Sequence, residues 1–241
     1  MRTISTIIIL FSACFLFACT TEQEEQEPIV KNEIGNPQPI LKVKYLALGD
    51  SYTIGQSVCE TCRFPVQLQD SIQKKMLANT ELSLKIIART GWTTTNLIAA
   101  IDQENVTPNY DLVTLLIGVN NQYQSKPFAL YEKEFPELVI KAIALAKEDK
   151  SNVIVVSIPD YAYTSYGGGA AKISEEIDKY NTFAKNYCIA SQIAFVNITD
   201  ITKDGLSNPN LVAGDGLHPS ALAYTKFVER ILPKALLALK E

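Results

Sequence analysis

Residues 43–52 read VKYLALGDSY, a mainly apolar run that ends in a turn carrying a serine. The run, residues 43–48, has the length and composition of a buried parallel strand. Ser51 therefore follows a strand directly, and in parallel sheets ligands bind beyond the carboxyl ends of the strands. Two interpretations follow: Ser51 is a nucleophile at that edge, or Gly49 makes a turn and Ser51 only caps the next helix.

Four further short apolar runs follow the first, separated by segments with helical periodicity. These runs are residues 82–88, 112–117, 152–157 and 193–196. Strands that alternate with helices are typical of a parallel sheet covered by helices on both faces. The sequence therefore predicts an α/β fold with five parallel strands.

Prolines and capping residues indicate where some of the helices begin and end. Pro65 suits a first helical turn, where its missing amide proton is not needed. Pro136 indicates that another helix starts there or kinks. Ser220 is placed to cap the last helix, and Pro233 should disturb its last turns. Cys188 falls on an apolar helical stripe and is interpreted as a buried core residue.

Composition excludes several classes of function. The chain has 241 residues, of which 47% are apolar, enough for one domain with a sizeable core. Lys and Arg number 22 against 26 Asp and Glu, so no basic excess indicates a nucleic-acid partner. A single histidine and five cysteines exclude sites that need two histidines, such as the metalloprotease helix. We expect neither a metal nor an organic cofactor.

The N-terminus has the features of an export signal. Arg2 precedes an apolar stretch over residues 4–18, which is too short for a comfortable transmembrane span. The residues LFAC at 16–19 resemble the lipobox of bacterial lipoproteins, which implies cleavage before Cys19 and lipid attachment to its sulfur. An ordinary secretory signal is the alternative, and Cys14 is a weaker lipidation site.

Three segments follow from this reading: a lipoprotein signal peptide over residues 1–18, an acidic flexible tether over 19–40 and a catalytic domain over 41–241. The tether is rich in Glu and Pro and poor in large apolar residues, so it cannot form a core. We expect an extracytoplasmic protein, periplasmic or at the cell surface, whose lipid anchors it to a bacterial membrane.

The only histidine lies in the loop DGLHP, three residues after Asp215. A serine hydroxyl needs a base to take its proton, and an imidazole does this near neutral pH. A carboxylate on the other ring nitrogen fixes the tautomer and stabilises the imidazolium. Asp215 and His218 thus fit an orienter and a base, although a surface loop with an incidental histidine remains open.

Four short blocks, GDSY, the glycine of RTGWTT, GVNN and DGLHP, resemble the SGNH hydrolases, also called GDSL esterases, in order and spacing. The resemblance covers residue 43 to the C-terminus. It implies a flavodoxin-like, three-layer α/β/α sandwich. It also implies that Ser51 is the nucleophile and first oxyanion donor, that Gly91 and Asn120 are the other oxyanion donors, and that Asp215 and His218 complete a triad.

The proposed oxyanion donors also make sense from their positions. Gly91 follows the second strand and Asn120 the third, so both should lie at the edge that carries Ser51. A glycine permits close backbone approach, and an amide side chain donates without titrating. A helix-entry turn at Gly91 and a helix cap at Asn120 are the alternatives.

Two blocks depart from the family wording. GDSY stands where the family usually has GDSL. GVNN stands where the family usually has a glycine, any residue, an asparagine and then an aspartate, and this second change should alter the hydrogen bonding behind Asn120. Asp50 and Asp111 are spare carboxylates expected near the same edge, where turn and cap roles suit them better.

Two further features stand beside these blocks. Cys59 and Cys62 form a local disulfide, a redox pair or two free thiols, and an exported protein favours the disulfide. Tyr161, Tyr163 and Tyr166 lie in a segment that suits a lid or wall for a substrate.

The sequence therefore predicts a serine ester hydrolase that forms an acyl-enzyme, with an O-acetylated glycan, a lysophospholipid or a small acyl ester as substrate. The alternative is a catalytically inactive surface lipoprotein that binds a glycan in the same cleft.

Overall fold

Five parallel strands form the centre of the protein, in a computed structural model that describes residues 40–240. They are β1 (Leu41–Gly49), β2 (Thr80–Ala88), β3 (Leu112–Leu116), β4 (Val153–Val156) and β5 (Ala194–Val196). Their order across the sheet is β2-β1-β3-β4-β5, and each neighbouring pair is parallel. The predicted five-stranded parallel sheet is confirmed.

Helices cover both faces of this sheet. In the described part of the chain they are α1 (Ser51–Ile54), α2 (Phe64–Gln73), α3 (Thr94–Glu104), α4 (Val119–Tyr123), α5 (Phe128–Leu145), α6 (Ala171–Ser191), α7 (Thr199–Lys203) and α8 (Ala221–Ala238). Helix α2 packs against α8, while α5 packs against both α3 and α6. The architecture is the predicted three-layer α/β/α sandwich.

The middle of β1 is buried completely because helices cover both faces of the sheet there. Tyr45, Leu46, Ala47 and Leu48 have no exposed surface. The one hydroxyl that this run brings inside is paired: the Tyr45 hydroxyl lies 2.9 Å from the hydroxyl of Thr114 on β3. Burial of the apolar run supplies the main driving force for this part of the fold, and the pairing removes the penalty of burying a phenol.

Two helices run through a proline, so of the two alternatives for Pro136 the helix start is wrong. Helix α5 begins at Phe128 and contains Pro136, and α8 continues past Pro233 to Ala238. A proline leaves the carbonyl four residues earlier without its helical partner. Here those earlier residues are Glu132 and Glu229, both exposed, so water can replace the lost bond.

Other local predictions are confirmed. Pro65 lies in the first turn of α2. The Ser220 hydroxyl accepts a hydrogen bond of 3.2 Å from the Ala223 amide and caps α8. Cys188 is fully buried, and this burial raises the pKa of its thiol to about 12.

Residues 1–39 lie outside the described residues, and with them the predicted signal peptide, Cys14, Cys19 and most of the tether. Among the helices within residues 40–240, none combines the length and the apolar character needed to cross a membrane.

Candidate active site

The carboxyl ends of three neighbouring strands are level with one another. Gly49 at the end of β1 pairs with Ala88 of β2 on one side and with Leu116 of β3 on the other. Ser51, Gly91 and Asn120 follow these positions by two, three and four residues. The sheet therefore brings all three to the same edge, as the order of the motifs predicts.

Ser51 opens the short helix α1 and is almost completely buried, with 4% of its surface exposed. Asp50 caps this helix: its Oδ1 accepts a hydrogen bond of 3.0 Å from the Tyr52 amide. Since Ser51 is the first residue of the helix, the helix itself offers no carbonyl to its amide. That amide is thus available to an oxyanion.

Asp215 and His218 are hydrogen-bonded to each other. The imidazole Nδ1 lies 2.6 Å from Asp215 Oδ2. An ionised carboxylate only accepts hydrogen bonds, so the proton of the neutral ring is on Nδ1 and Nε2 is the acceptor that a base needs. The structure thus brings this predicted pair together in the tautomer that base catalysis requires.

The carboxylate of Asp215 is held by several donors. Its Oδ1 accepts hydrogen bonds of 3.0 Å from the amides of Leu217 and His218, and its Oδ2 accepts one of 2.6 Å from the Ser57 hydroxyl. Partial burial acts to raise the pKa of Asp215, but the hydrogen bond from Ser57, those from the two amides and that from the imidazole lower it well below its usual value. Asp215 is therefore ionised at neutral pH.

The imidazole lies beside the segment that carries the serine. The rings of His218 and Tyr52, the residue after Ser51, meet edge to face with centroids 5.7 Å apart. The loop of His218 is fixed at its base, where the Ala213 amide donates to the His218 carbonyl at 2.7 Å. His218 is 9% exposed, so its ring orientation is set by the protein and not by solvent.

The two other predicted oxyanion donors lie on contacting segments. Asn120 Nδ2 donates a hydrogen bond of 3.0 Å to the Trp92 carbonyl, and Gln124 Nε2 donates one of 2.9 Å to the Gly91 carbonyl. An amide nitrogen carries two hydrogens, so Asn120 keeps one for a ligand. Gly91 has φ of 83°, a left-handed conformation that favours glycine. Its amide and the second Asn120 hydrogen are suitable oxyanion donors.

Asn121, where the family wording has aspartate, joins α4 to the start of α3. Its Oδ1 accepts from the Thr94 amide at 2.9 Å, and its Nδ2 donates to the Thr94 hydroxyl at 2.7 Å. That hydroxyl in turn donates to the carboxylate of Glu134 on α5. Asn121 thus reaches Glu134 through Thr94, and sequence reasoning did not single out Glu134.

The segment between α1 and α2 carries a disulfide. The structure joins Cys59 to Cys62, whose Cα atoms are 5.0 Å apart. Ser57, the donor to Asp215, lies two residues before Cys59 and was not singled out by the sequence. No motif marks it, because its partner is 158 residues away in the chain.

Tyrosines connect α4 to the histidine loop at the edge of the site. The hydroxyls of Tyr123 and Tyr166 lie 2.6 Å apart, and the Tyr166 amide donates to the Gly216 carbonyl at 3.0 Å. The Tyr161 hydroxyl donates to Gln122 at 2.9 Å. Both Tyr123 and Tyr166 are about half exposed, at 50% and 55%. The predicted aromatic segment therefore lies beside the site, joined by Tyr123, which sequence reasoning missed.

Asp111 does not belong to this edge, which corrects the sequence analysis. It precedes β3, and its carboxylate accepts a hydrogen bond of 2.7 Å from the Lys44 amide, near the start of β1. In a parallel sheet the amino ends of all strands share one edge, opposite the carboxyl ends. Asp111 is therefore a structural carboxylate on the far side of the sheet from Ser51.

The cavity that reaches His218 is very small. It has a volume of about 10 Å³ and is bordered by Tyr52, Tyr161 and His218 among others. A larger cavity of about 500 Å³ lies between α6 and α7 and contains none of the predicted site residues. Within residues 40–240, no group of three or more His, Cys, Asp and Glu side chains is arranged to hold a metal ion.

Comparison with known families gives one match. The sequence matches the model of the family described as GDSL-like lipase/acylhydrolase over residues 47–226, a range that contains every predicted catalytic and oxyanion residue. No curated protein sequence matches the chain significantly.

Several solved structures share the fold. A lipolytic protein of the G-D-S-L family from Veillonella parvula is 18% identical with a TM-score of 0.62, over 79% of this chain and 97% of that one. A lipase/acylhydrolase from Enterococcus faecalis is 18% identical with a TM-score of 0.62, over 80% and 94%. An acetylxylan esterase from Geobacillus stearothermophilus is 18% identical with a TM-score of 0.58, over 81% and 95%. At this level of identity the similarity shows the fold.

Proposed function

Because the protein belongs to the GDSL-like lipase/acylhydrolase family, it is a carboxylic ester hydrolase, and we propose that it works through an acyl-enzyme on Ser51. The observation that carries the proposal is the 2.6 Å contact between His218 Nδ1 and Asp215 Oδ2, with the imidazole packed on the residue after Ser51. This arrangement supplies an oriented base beside the segment that carries Ser51, which is the placement that general-base activation of a serine needs.

In the first half of the reaction, Ser51 Oγ attacks the ester carbonyl while His218 Nε2 takes its proton. The oxyanion that forms accepts hydrogen bonds from the amides of Ser51 and Gly91 and from Asn120 Nδ2. The intermediate collapses by breaking the bond to the alcohol oxygen, and the imidazolium returns the proton to that oxygen. The products are a free alcohol and an acyl group on Ser51.

In the second half, water replaces the alcohol. His218 takes a proton from the water as its oxygen attacks the acyl carbonyl, and the same oxyanion donors stabilise the new intermediate. Collapse breaks the bond to Ser51 Oγ, which receives the proton back from the imidazolium. The acid leaves and the enzyme is restored, so the cycle consumes only one water.

We propose further that the acyl group is short, with acetyl as the best fit. An acetylxylan esterase is among the similar structures, beside a lipase/acylhydrolase. An acetyl ester of a sugar also agrees with the aromatic residues beside the site, described next.

We propose that the alcohol is a sugar, which would contact the tyrosines beside the site. Tyr123 and Tyr166 present half-exposed rings whose hydroxyls are hydrogen-bonded to each other at 2.6 Å. Aromatic rings with polar edges offer both stacking surface and hydrogen bonds to a hydroxylated ring. An O-acetylated glycan is therefore the proposed substrate class.

A panel of esters tests both proposals. If the acyl group is acetyl, we expect wild-type protein to hydrolyse p-nitrophenyl acetate at least about a hundredfold faster than the octanoate. Ser51→Ala should abolish turnover and labelling by a fluorophosphonate while leaving the circular dichroism spectrum unchanged.

Tyr166→Ala should raise KM for an acetylated oligosaccharide about threefold to tenfold, with little effect on p-nitrophenyl acetate.

Several outcomes would contradict the proposal. Turnover by Ser51→Ala would exclude the assigned nucleophile, and folded wild type that no fluorophosphonate labels would favour a glycan-binding protein without catalysis. Equal rates on acetate and octanoate would exclude the short acyl group. Tyr110→Phe, a change at a nearly buried tyrosine that precedes β3 at the opposite edge, is the matched control for the tyrosine variant.

The cellular location is a separate proposal. We propose that the protein is exported and anchored through a lipid on Cys19, which the LFAC sequence at residues 16–19 supports. The Glu- and Pro-rich residues 19–40 would then hold the domain away from the bilayer.

A further inference from the structure

One oxygen of the Asp215 carboxylate accepts two hydrogen bonds from side chains. Oδ2 lies 2.6 Å from His218 Nδ1 and also 2.6 Å from the hydroxyl of Ser57, which donates to it. With Oδ1 bonded to the amides of Leu217 and His218, both oxygens are engaged. The Ser57 hydroxyl is the only donor to this carboxylate, among the described residues, that comes from outside the histidine loop.

Ser57 is held in a backbone conformation that serine rarely adopts. Its φ is 66°, in the left-handed region. Turn hydrogen bonds fix the chain just before it: the amides of Gly55 and Gln56 both donate to the Ser51 carbonyl, at 3.1 and 3.0 Å. The position of the Ser57 hydroxyl is thus tied directly to the residue that carries the nucleophile.

The same turn contacts the other side of the site. The Gln56 side chain accepts a hydrogen bond of 2.7 Å from the Thr90 hydroxyl, and Thr90 immediately precedes Gly91. Two consecutive residues of this turn therefore contact both sides of the site: Gln56 contacts the segment of Gly91, and Ser57 contacts the carboxylate of Asp215. The disulfide between Cys59 and Cys62 closes the turn that follows, so the chain is restrained on both sides of Ser57.

We propose that Ser57 is a positioning residue of the esterase, which fixes the Asp215 carboxylate and, through it, the ring of His218. The inference rests on the proposed triad. A carboxylate held by donors on both oxygens and from two separate loops cannot rotate away from the imidazole. Ser57 touches no reacting atom and acts only through Asp215.

Removing the hydroxyl should impair catalysis without impairing binding. We expect Ser57→Ala and Ser57→Gly to lower kcat on p-nitrophenyl acetate about tenfold with KM unchanged, the loss typical of one hydrogen bond to a charged group. Glycine relieves the left-handed backbone and alanine does not, so equal losses assign the effect to the hydroxyl. The acidic limb of kcat/KM should move to higher pH, because a carboxylate with one donor fewer holds the imidazolium proton more firmly.

The titratable groups that face the pair are unchanged in these variants. Tyr52 of α1 contacts the imidazole, and Asp215 lies close enough to Tyr224 of α8 for its charge to help raise the pKa of that hydroxyl, after burial. Asp50 acts on the same two tyrosines. A shift of the acidic limb in the Ser57 variants is therefore due to the lost hydroxyl.

A spectroscopic measurement makes the test independent of turnover. The protein has one histidine, so the Nδ1 proton resonance of His218 is unambiguous. We expect it to move downfield in Ser57→Ala, because Oδ2 then accepts one hydrogen bond instead of two. In an Asp215→Asn background, Ser57→Ala should cause no further loss of kcat, since the two residues act as one unit.

Ser125→Ala is the matched control, because Ser125 is also exposed and left-handed, with φ of 53°. It should retain wild-type kcat and pH profile. An active wild type whose Ser57→Gly variant keeps the same kcat, acidic limb and Nδ1 resonance would overturn the inference about Ser57. A folded wild type with no esterase activity would instead overturn the proposed function.

Discussion

Asp50 is a buried carboxylate with one engaged oxygen and one without a partner. Oδ1 accepts from the Tyr52 amide at 3.0 Å, whereas Oδ2 has no hydrogen-bond partner among the described residues. Burial raises the pKa of Asp50 to about 7, against the opposing effect of the hydrogen bond from the Tyr52 amide. The Tyr224 hydroxyl is also buried without a hydrogen-bond partner within residues 40–240. The residue beside the nucleophile is therefore costly to ionise.

This raised pKa makes stability depend on pH in a defined direction. In the unfolded chain an aspartate titrates near about 3.9, so between that pH and about 7 the folded protein binds more protons. The contribution of Asp50 is complete below pH ~4 and is lost as pH rises to about 7. We expect Asp50→Asn to gain about 2 to 3 kcal/mol of unfolding free energy relative to wild type between pH 5 and pH 8.

Urea unfolding at the two pH values measures this difference, and any pH-independent effect of the amide cancels. Asp160→Asn is the matched control, because Asp160 is equally buried but both of its oxygens accept hydrogen bonds, from Ala162 and Ser174. It should destabilise the protein at both pH values. If Asp50→Asn and wild type differ by the same amount at pH 5 and pH 8, the carboxylate is not the source of the pH dependence.

The cap at Asp50 could be predicted from the sequence, but its second oxygen could not. A Gly-Asp-Ser turn after a strand indicates a helix cap by itself. Asp50 lies close enough to Tyr224 of α8, 174 residues further along the chain, for its charge to act on that hydroxyl, and no local pattern predicts this neighbour. Ser57 shows the same limit, because its role depends on a contact with a distant loop and no local pattern encodes it.

Helices α3, α4 and α5 are joined by one buried polar chain. Asn121 of α4 both accepts from and donates to Thr94, whose hydroxyl donates to Glu134 of α5. Thr95 donates to the same carboxylate at 2.8 Å. Asn121 has no exposed surface and Glu134 has 8%. Two carboxylates this close and this buried would repel each other, which explains why an amide suits position 121 here.

We therefore expect Asn121→Asp to destabilise the protein by about 2 to 3 kcal/mol. The new carboxylate cannot donate to Thr94 and adds a second negative charge near Glu134. Glu134→Gln in the same chain should restore part of the loss, and urea unfolding of the four combinations gives the coupling energy. Glu137→Gln, a charge removal elsewhere on α5, should not restore it. Additive effects of the Asn121 and Glu134 changes would show that the two residues do not interact.

This polar chain also shows which elements a sequence reveals. The apolar stripes of α5 and α8 predict helices, and Ser220 marks the start of α8. Pro136 and Pro233 do not mark helix ends, because the carbonyls that they leave without helical partners belong to exposed residues. Glu134 lies within the stripe of α5, between Tyr131 and Phe135, where a carboxylate has no evident partner until Thr94 and Thr95 are placed beside it.

At the scale of the whole molecule, the alternation of apolar runs and helical stripes predicts the sheet. Each predicted strand agrees with the structure to within two residues. The strands β1 and β2 extend beyond their apolar runs because Leu41 pairs with Thr80 at the start of the ladder. Strand-end motifs also predict which side chains share an edge, since parallel strands end together. Loop contacts across the site, such as that of Tyr166 with Tyr123, depend on the path of each loop in three dimensions, which strand-end motifs do not predict.

Location and catalysis should separate cleanly in the whole chain. Every predicted catalytic and oxyanion residue lies within residues 40–240, which form one compact unit. If Cys19 carries the lipid, each buried methylene contributes about 0.8 kcal/mol to membrane binding and nothing to the ester reaction. Cys19→Ala should therefore move the protein from the membrane to the soluble fraction while kcat/KM stays within about twofold of wild type, since no group near Ser51 has changed.

Detergent phase partition of the expressed full chain measures the change of fraction, and hydrolysis of p-nitrophenyl acetate measures kcat/KM. Cys14→Ala is the matched control and should remain in the membrane. A Cys19→Ala protein that stays there would exclude anchoring through this sulfur, and release by Cys14→Ala would assign the lipid to Cys14.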